Sequence, residues 1–237
     1  MAVYAVYLDT IKLFCYLFLG ILVSFCFWNF SEISCQRYFK KKISSTDPFL
    51  FLITGIWGSS GFFFLSPILH ILPVPLHPPL RLLCTAFPQW DILFYIWAHS
   101  WFSSPKWEIF NDVEWQIFIL RSWLFHSIII PTLLILGSYL IQNFLYSSPA
   151  ANTKVRHRLN TVFIIGIGLS VGVSAHLLGD ILLYPFPGGG ANLLIYRWNQ
   201  QASLLWTTSH MFLGLLVPFF FIWIRNRRLK MNSIRRR

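Results

Sequence analysis

The chain has 237 residues, of which 56% are hydrophobic and only 11% are charged, whereas a soluble domain carries about 25% charged residues. Apolar stretches of about 18 residues or more are typical of membrane-spanning helices, and several occur here, which excludes a soluble globular domain. The net charge of +11 would suit a nucleic-acid partner, but the basic residues directly follow apolar stretches, as on the cytoplasmic flanks of membrane helices. We therefore expect no nucleic acid among its partners.

The apolar stretches predict an all-α integral membrane protein, a single polytopic domain over residues 1–237 with about five transmembrane helices. In chain order the predicted spans are 12–30, 49–71, 117–145, 160–184 and 203–225. A sixth apolar stretch, 80–103, also contains Pro88, Asp91 and His99. Whether it crosses the membrane is decided by the positions of the basic residues.

The basic clusters set the predicted direction of each span. They occupy residues 37–42, 154–158 and 225–237. All three lie on the cytoplasmic side only if 80–103 does not cross the membrane. We therefore interpret 80–103 as a re-entrant or interfacial helical segment on the outer side, which suits its tryptophans.

This topology places the N-terminus outside and the C-terminus in the cytoplasm. The basic tail, 226–237, is then expected to contact anionic lipid headgroups of the bilayer. The membrane expected for this arrangement is a bacterial-type inner (plasma) membrane.

Two of the acidic residues, Asp91 and Asp180, lie inside strongly apolar sequence, where a carboxylate is costly and is usually functional. In the predicted topology His126, His176 and Asp180 lie about 6 to 14 Å from the outer ends of their spans, at 1.5 Å per residue. Asp91 belongs to the outer segment, and Arg121 begins the third span. The sequence therefore predicts that these polar residues share one layer of the bundle.

His176 and Asp180 are four residues apart, so they share a helix face and can approach one ion together. With Asp91 and His126 they would form a reasonable ligand set for zinc or a similar divalent metal. Such a metal would keep both carboxylates ionised in a medium of low dielectric constant and would activate water for hydrolysis. One of the two Asp carboxylates is then a candidate general base, and Arg121 is a candidate for binding an anionic substrate group.

Two interpretations from other classes remain open. In one, His126, His176 or His210 ligates haem. In the other, the protein is a non-catalytic membrane scaffold, whose polar residues join helices by hydrogen bonds and whose Asp180 simply pairs with Arg121.

Three strings occur in a fixed order: Phe-Pro-Gln-Trp-Asp at 87–91, Arg-Ser-Trp-Leu-Phe-His-Ser at 121–127 and His-Leu-Leu-Gly-Asp at 176–180. Together they resemble the family of LexA-regulated, membrane-bound metal-dependent hydrolases (the YdjM-like family). The pattern of that family is Pro-Asp-x-Asp, then His-Arg…Thr-His-Ser, then His-x-x-x-Asp. The resemblance covers about residues 80–200.

The resemblance implies that Asp91, His126, His176 and Asp180 hold a divalent metal, and that Arg121 matches the basic position of the second motif. The implied function is a membrane-embedded metal-dependent hydrolase with its site near the extracytoplasmic interface and a lipid or envelope-derived substrate. The chain departs from the family pattern at three positions, Gln89, Leu120 and Phe125. An inactive member of the family is therefore a further alternative.

Overall fold

A computed structural model of the protein describes residues 2–39, 48–60, 127–147, 153–185 and 198–235, together with Trp123 and Ile195. These residues form five helices and no strand. The helices are α1 (Ala2–Phe39), α2 (Pro48–Ser60), α3 (Ile129–Ser147), α4 (Thr153–Leu183) and α5 (Gln200–Arg235). The predicted all-α class is confirmed for this part of the chain, and the segment 80–103 lies outside it.

Within the described residues, three helices are long and apolar enough to cross a membrane. These segments are Phe14–Phe39 in α1, His157–Leu183 in α4 and Gln200–Arg228 in α5. The shorter apolar segments Pro48–Ser59 in α2 and Ile129–Phe144 in α3 overlap the second and third predicted spans. Because residues 61–71 and most of residues 117–126 lie outside the described part of the chain, the count of five remains a prediction.

α1 and α5 both continue beyond their predicted spans. α1 runs on to Phe39 through a polar segment in which Gln36 donates a hydrogen bond to Glu32 over 3.2 Å. α5 runs on to Arg235, so the predicted basic tail 226–237 begins as helix. Glu, Gln, Lys and Arg are good helix formers, so these helices do not end where the apolar stretch ends.

α4 is the central helix, and all four other helices pack against it. In its spanning segment 83% of the residues are buried, compared with 28% in the spanning segments of α1 and α5. α2 runs parallel to α4, because the Phe51 carbonyl lies beside Gly168 and the Ser59 carbonyl lies beside His176. α1, α3 and α5 run antiparallel to α4.

Glycines allow α2 and α4 to approach backbone to backbone. A Cβ atom added to Gly172 would lie 2.3 Å from the Gly55 carbonyl oxygen and 2.8 Å from the Cα atom of Gly58. Small residues at helix crossings are typical of membrane bundles, where association depends on close packing. This contact fixes the level at which α2 meets α4, and with it the position of the α2 C-terminal end.

α5 contains Pro218 in its interior. Proline has no backbone N–H, so the carbonyl of Gly214, four residues earlier, loses its helical hydrogen-bond donor. The Ser170 hydroxyl of α4 donates a hydrogen bond of 3.0 Å to that carbonyl. Serine side chains on neighbouring helices are one way in which membrane bundles accommodate proline, and here the bond also joins α4 to α5.

The basic ends of three helices meet at one end of the bundle. Phe39 of α1 packs against Trp223 of α5 with ring centroids 6.0 Å apart. Asn226 donates a hydrogen bond of 2.9 Å to the Cys35 sulfur, and Arg225 donates one to Asn160 near the start of α4. The described members of the three basic clusters therefore share one end, as the charge pattern predicts.

Candidate functional site

A buried polar cluster lies at the opposite end of the bundle, where α1, α2 and α4 meet. We call Tyr16, Ser59, His176 and Asp180 the polar cluster. Each of the four is at most 4% exposed. Polar groups buried to this extent need partners within the protein, so their mutual contacts define what the cluster does.

A glycine on α4 makes room for the Tyr16 ring in the polar cluster. His176 and Asp180 lie one turn apart on the same face, and Gly179 lies between them. A Cβ atom on Gly179 would lie 2.5 Å from a ring carbon of Tyr16. The missing side chain therefore allows the Tyr16 ring of α1 to lie directly against α4.

Tyr16 contacts both residues of the α4 pair. Its hydroxyl donates a short hydrogen bond to Oδ1 of Asp180. Its ring stacks on the His176 imidazole, with centroids 4.5 Å apart and an interplanar angle of 22°. The first helix therefore fixes the orientation of the carboxylate and of the imidazole at the same time.

The contact with Ser59 determines which nitrogen of His176 carries a hydrogen. Nδ1 lies 3.1 Å from the Ser59 carbonyl oxygen. A carbonyl can only accept a hydrogen bond, so Nδ1 is the donor. Nε2 then faces Oδ2 of Asp180 at 3.5 Å. In the neutral imidazole, Nε2 holds a lone pair directed toward the carboxylate.

The geometry of this pair fits two ligands of one divalent metal. Zinc–nitrogen and zinc–oxygen distances near 2.1 Å with tetrahedral angles separate neighbouring ligand atoms by about 3.4 Å, close to the 3.5 Å from Nε2 to Oδ2. Metal-binding histidines usually donate their other N–H to a carbonyl or carboxylate, and ligating carboxylates also accept hydrogen bonds. The Ser59 carbonyl and the Tyr16 hydroxyl occupy those supporting positions.

Two ligands do not complete a metal site. Among the described residues there is no group of three or more His, Cys, Asp or Glu side chains able to hold a metal ion. Asp91, Arg121 and His126 lie outside the described residues. The four-residue ligand set, and the alternative pairing of Asp180 with Arg121, therefore remain predictions, whereas the proximity of His176 to Asp180 is observed.

The chain returns to the level of the polar cluster just before α3. Ile128 packs with Val173 and Leu177 of α4 in one buried apolar group. Leu177 is adjacent to His176 in sequence, and Ile128 follows His126 by two residues. Ile128 therefore lies beside Leu177, near the level of the polar cluster along α4, whereas the position of His126 remains a prediction.

His210 belongs to a separate aromatic group on α5. Its ring centroid lies 4.1 Å from that of Trp206, and the Trp206 indole N–H donates a hydrogen bond of 3.2 Å to the Trp123 carbonyl. Trp198 and Trp123 both pack edge-on against Trp206. The described contacts of His210 are therefore with tryptophan and not with the polar cluster.

The sequence did not identify Tyr16 or Ser59 as part of the site. They contact α4 residues that lie 164 and 117 positions away in the chain, and no short motif encodes such a pairing. One signal was present, because a tyrosine inside a predicted span must satisfy its hydroxyl. That signal names Tyr16 as a residue in need of a partner without naming the partner.

Comparisons with protein-family models, with curated proteins and with solved structures gave no match to this chain. The function is therefore argued from the polar cluster and from the three sequence strings.

Proposed function

We propose that this chain is a membrane-embedded metal-dependent hydrolase whose metal is held at the polar cluster. His176 and Asp180 supply two ligands, and Asp91 and His126 supply the others. The observation that supports this most directly is the distance of 3.5 Å between Nε2 of His176 and Oδ2 of Asp180. The other ring nitrogen of His176 is hydrogen-bonded to the Ser59 carbonyl, and the other carboxylate oxygen of Asp180 accepts from the Tyr16 hydroxyl. Such support is typical of metal ligands.

The energetics of burial favour a ligand role over simple attachment between helices. An interhelical hydrogen bond in a membrane protein contributes about 0.6 kcal/mol on average. A buried ionised carboxylate costs several kcal/mol. A hydrogen bond between helices alone does not offset a cost of that size, whereas coordination of a doubly charged cation supplies a compensating opposite charge.

The roles of the residues follow from their positions. When bound, a divalent metal would supply a Lewis acid and an acidified water. Tyr16 orients the Asp180 carboxylate, and the Ser59 carbonyl fixes the tautomer of His176. Arg121 would bind an anionic group of the substrate.

The location of the cluster suggests its substrate class. The basic helix ends lie at the other end of the bundle, and the positive-inside rule assigns basic ends to the cytoplasm. The polar cluster then lies toward the extracytoplasmic face, with the C-terminus inside. A site in that position suits a lipid or another envelope-derived substrate.

Metal content of the purified protein tests the proposal. We expect about one zinc or similar ion per chain in the wild type, and none above background in Asp180→Asn or His176→Gln. His157→Gln is the matched control, because His157 is exposed and lies at the basic end of α4. A wild type that neither contains metal nor shows a higher unfolding temperature with added Zn²⁺ would overturn the proposal, as would an Asp180→Asn variant that keeps its metal.

The second candidate is a non-catalytic scaffold, and the hydrogen bond from Tyr16 to Asp180 favours it because that bond joins α1 to α4. In that case Asp180→Asn would change the unfolding temperature equally with and without Zn²⁺. His176 does not favour the haem alternative, since its Nε2 faces Asp180. A Soret band in the purified protein would nevertheless establish it.

A further inference from the structure

A large apolar groove lies between α1 and α5 at the basic end of the bundle, away from the polar cluster. We call it the basic-end groove, and its volume is about 1130 Å³. Its principal lining residues are Phe30, Ile33 and Arg37 of α1 and Leu216, Phe220 and Trp223 of α5. Phe30, Ile33, Leu216 and Phe220 are each more than half exposed, so the groove opens sideways, toward the space that the bilayer occupies.

The length of the groove matches one leaflet of a bilayer. Along α5 it extends from Leu216 to Trp223, which is about 10 Å at the helical rise per residue. Along α1 it extends from Phe30 to Tyr38, which is about 12 Å. Half of the hydrocarbon core is about 15 Å thick, so the groove spans most of a single leaflet.

Charge and aromatic residues lie at one end of the groove. Arg37 is the charged residue among those lining it, and its side chain is exposed. The Arg227 guanidinium lies 5.6 Å from the centre of the Trp223 ring, which brings a second positive charge to this end. Tryptophan and tyrosine prefer the depth of the lipid headgroups, and Trp223 and Tyr38 both line this end.

We propose that the basic-end groove binds an anionic phospholipid from the leaflet at the basic end of the bundle. One acyl chain lies in the groove between α1 and α5, and the phosphate lies against Arg37. Lipid that merely surrounds the protein needs no such recess. The occupant is a lipid and not a protein segment, because the groove spans most of one leaflet and Arg37, the charged side chain among its described lining residues, lies at its headgroup end. This proposal does not depend on the metal site.

Native mass spectrometry of the full-length protein tests this proposal, with phosphatidylglycerol and phosphatidylcholine of equal chain length offered in equal amounts. We expect one retained phosphatidylglycerol, preferred over phosphatidylcholine. Arg37→Gln should reduce that preference about fivefold, since a cation near the membrane surface contributes about 1 kcal/mol. Arg158→Gln is the control, because Arg158 is an exposed arginine on α4 that does not line the groove.

Filling the groove gives an independent test of the acyl chain. Leu216→Trp should abolish retention of either lipid, whereas Leu140→Trp, at a half-exposed position on α3 outside the groove, should not. A phospholipid with a photoreactive acyl chain should label residues 30–38 and 216–223. Equal retention of the two lipids, equal effects of Arg37→Gln and Arg158→Gln, or unchanged binding in Leu216→Trp would each overturn the proposal. A dimer in the wild type that Leu216→Trp dissociates would also overturn it, in favour of a second copy of the chain as occupant.

Discussion

The two ends of the bundle hold their ionisable residues in opposite ways. At the basic end Lys154 and Arg158 are exposed, and Arg225 is only partly buried, so each charge can reach water or lipid headgroups. At the other end His176 and Asp180 are buried, and their observed partners belong to α1, to α2 or to each other. A charge with access to water can be replaced at little cost, whereas a buried pair depends on every member being present.

The largest effect that this comparison predicts comes from removing one member of the buried pair. In metal-free buffer His176→Leu should lower the free energy of unfolding by about 3 to 5 kcal/mol, because the buried Asp180 carboxylate loses the imidazole 3.5 Å from it and the Ser59 carbonyl loses its hydrogen-bond donor. Arg158→Leu, at the exposed end, should change it by less than about 0.5 kcal/mol. Denaturant unfolding in one detergent measures both. Similar losses of unfolding free energy in the two variants would contradict the difference that burial predicts between the two ends.

A substitution midway between the ends tests whether backbone contact positions the polar cluster. Gly172→Ala places a Cβ atom against the Gly55 carbonyl and the Gly58 backbone, so α2 must move away from α4. We expect a loss of about 1 to 3 kcal/mol, which is typical of overpacking, together with weaker metal binding, because Ser59 moves with α2.

Gly137→Ala is the matched control for that substitution. A Cβ atom at Gly137 meets nothing within 4 Å, so alanine should instead raise stability, by up to about 1 kcal/mol through its higher helix propensity. Opposite signs for the two glycines would support close approach of α2 and α4. A neutral Gly172→Ala variant would contradict it.

A smaller effect is expected where α4 meets α5. Ser170→Ala leaves the Gly214 carbonyl without its donor and should cost about 1 kcal/mol. Pro218→Ala restores the backbone N–H, so Ser170→Ala should cost less in the Pro218→Ala background than in the wild type. A double-mutant cycle measured by denaturant unfolding reports this difference. Additive costs would show that the serine does not compensate for the proline.

The sequence predicts the class of the fold and two of the four residues of the polar cluster, His176 and Asp180, for physical reasons. Apolar length predicts helices, and the positions of basic residues predict which helix ends lie together. A four-residue spacing is sufficient to place His176 beside Asp180, because that relation is local to one helix. Tyr16 and Ser59 could not be predicted, since their contacts depend on how α1 and α2 dock against α4. Helix docking depends on glycines such as Gly172, whose partners no local pattern specifies.

The smallest predicted effect lies at the basic end and concerns Arg225. Its guanidinium donates a hydrogen bond to Asn160 and lies 4.9 Å from the centre of the Phe163 ring. Arg225→Gln removes the charge over that ring and should lower the free energy of unfolding by about 0.5 to 1 kcal/mol. Arg228→Gln, at an exposed position one turn away, should have no measurable effect. If Arg225→Gln costs as much as His176→Leu, Arg225 is a structural residue in its own right, and the contrast between the two ends would then apply only to the fully exposed charges.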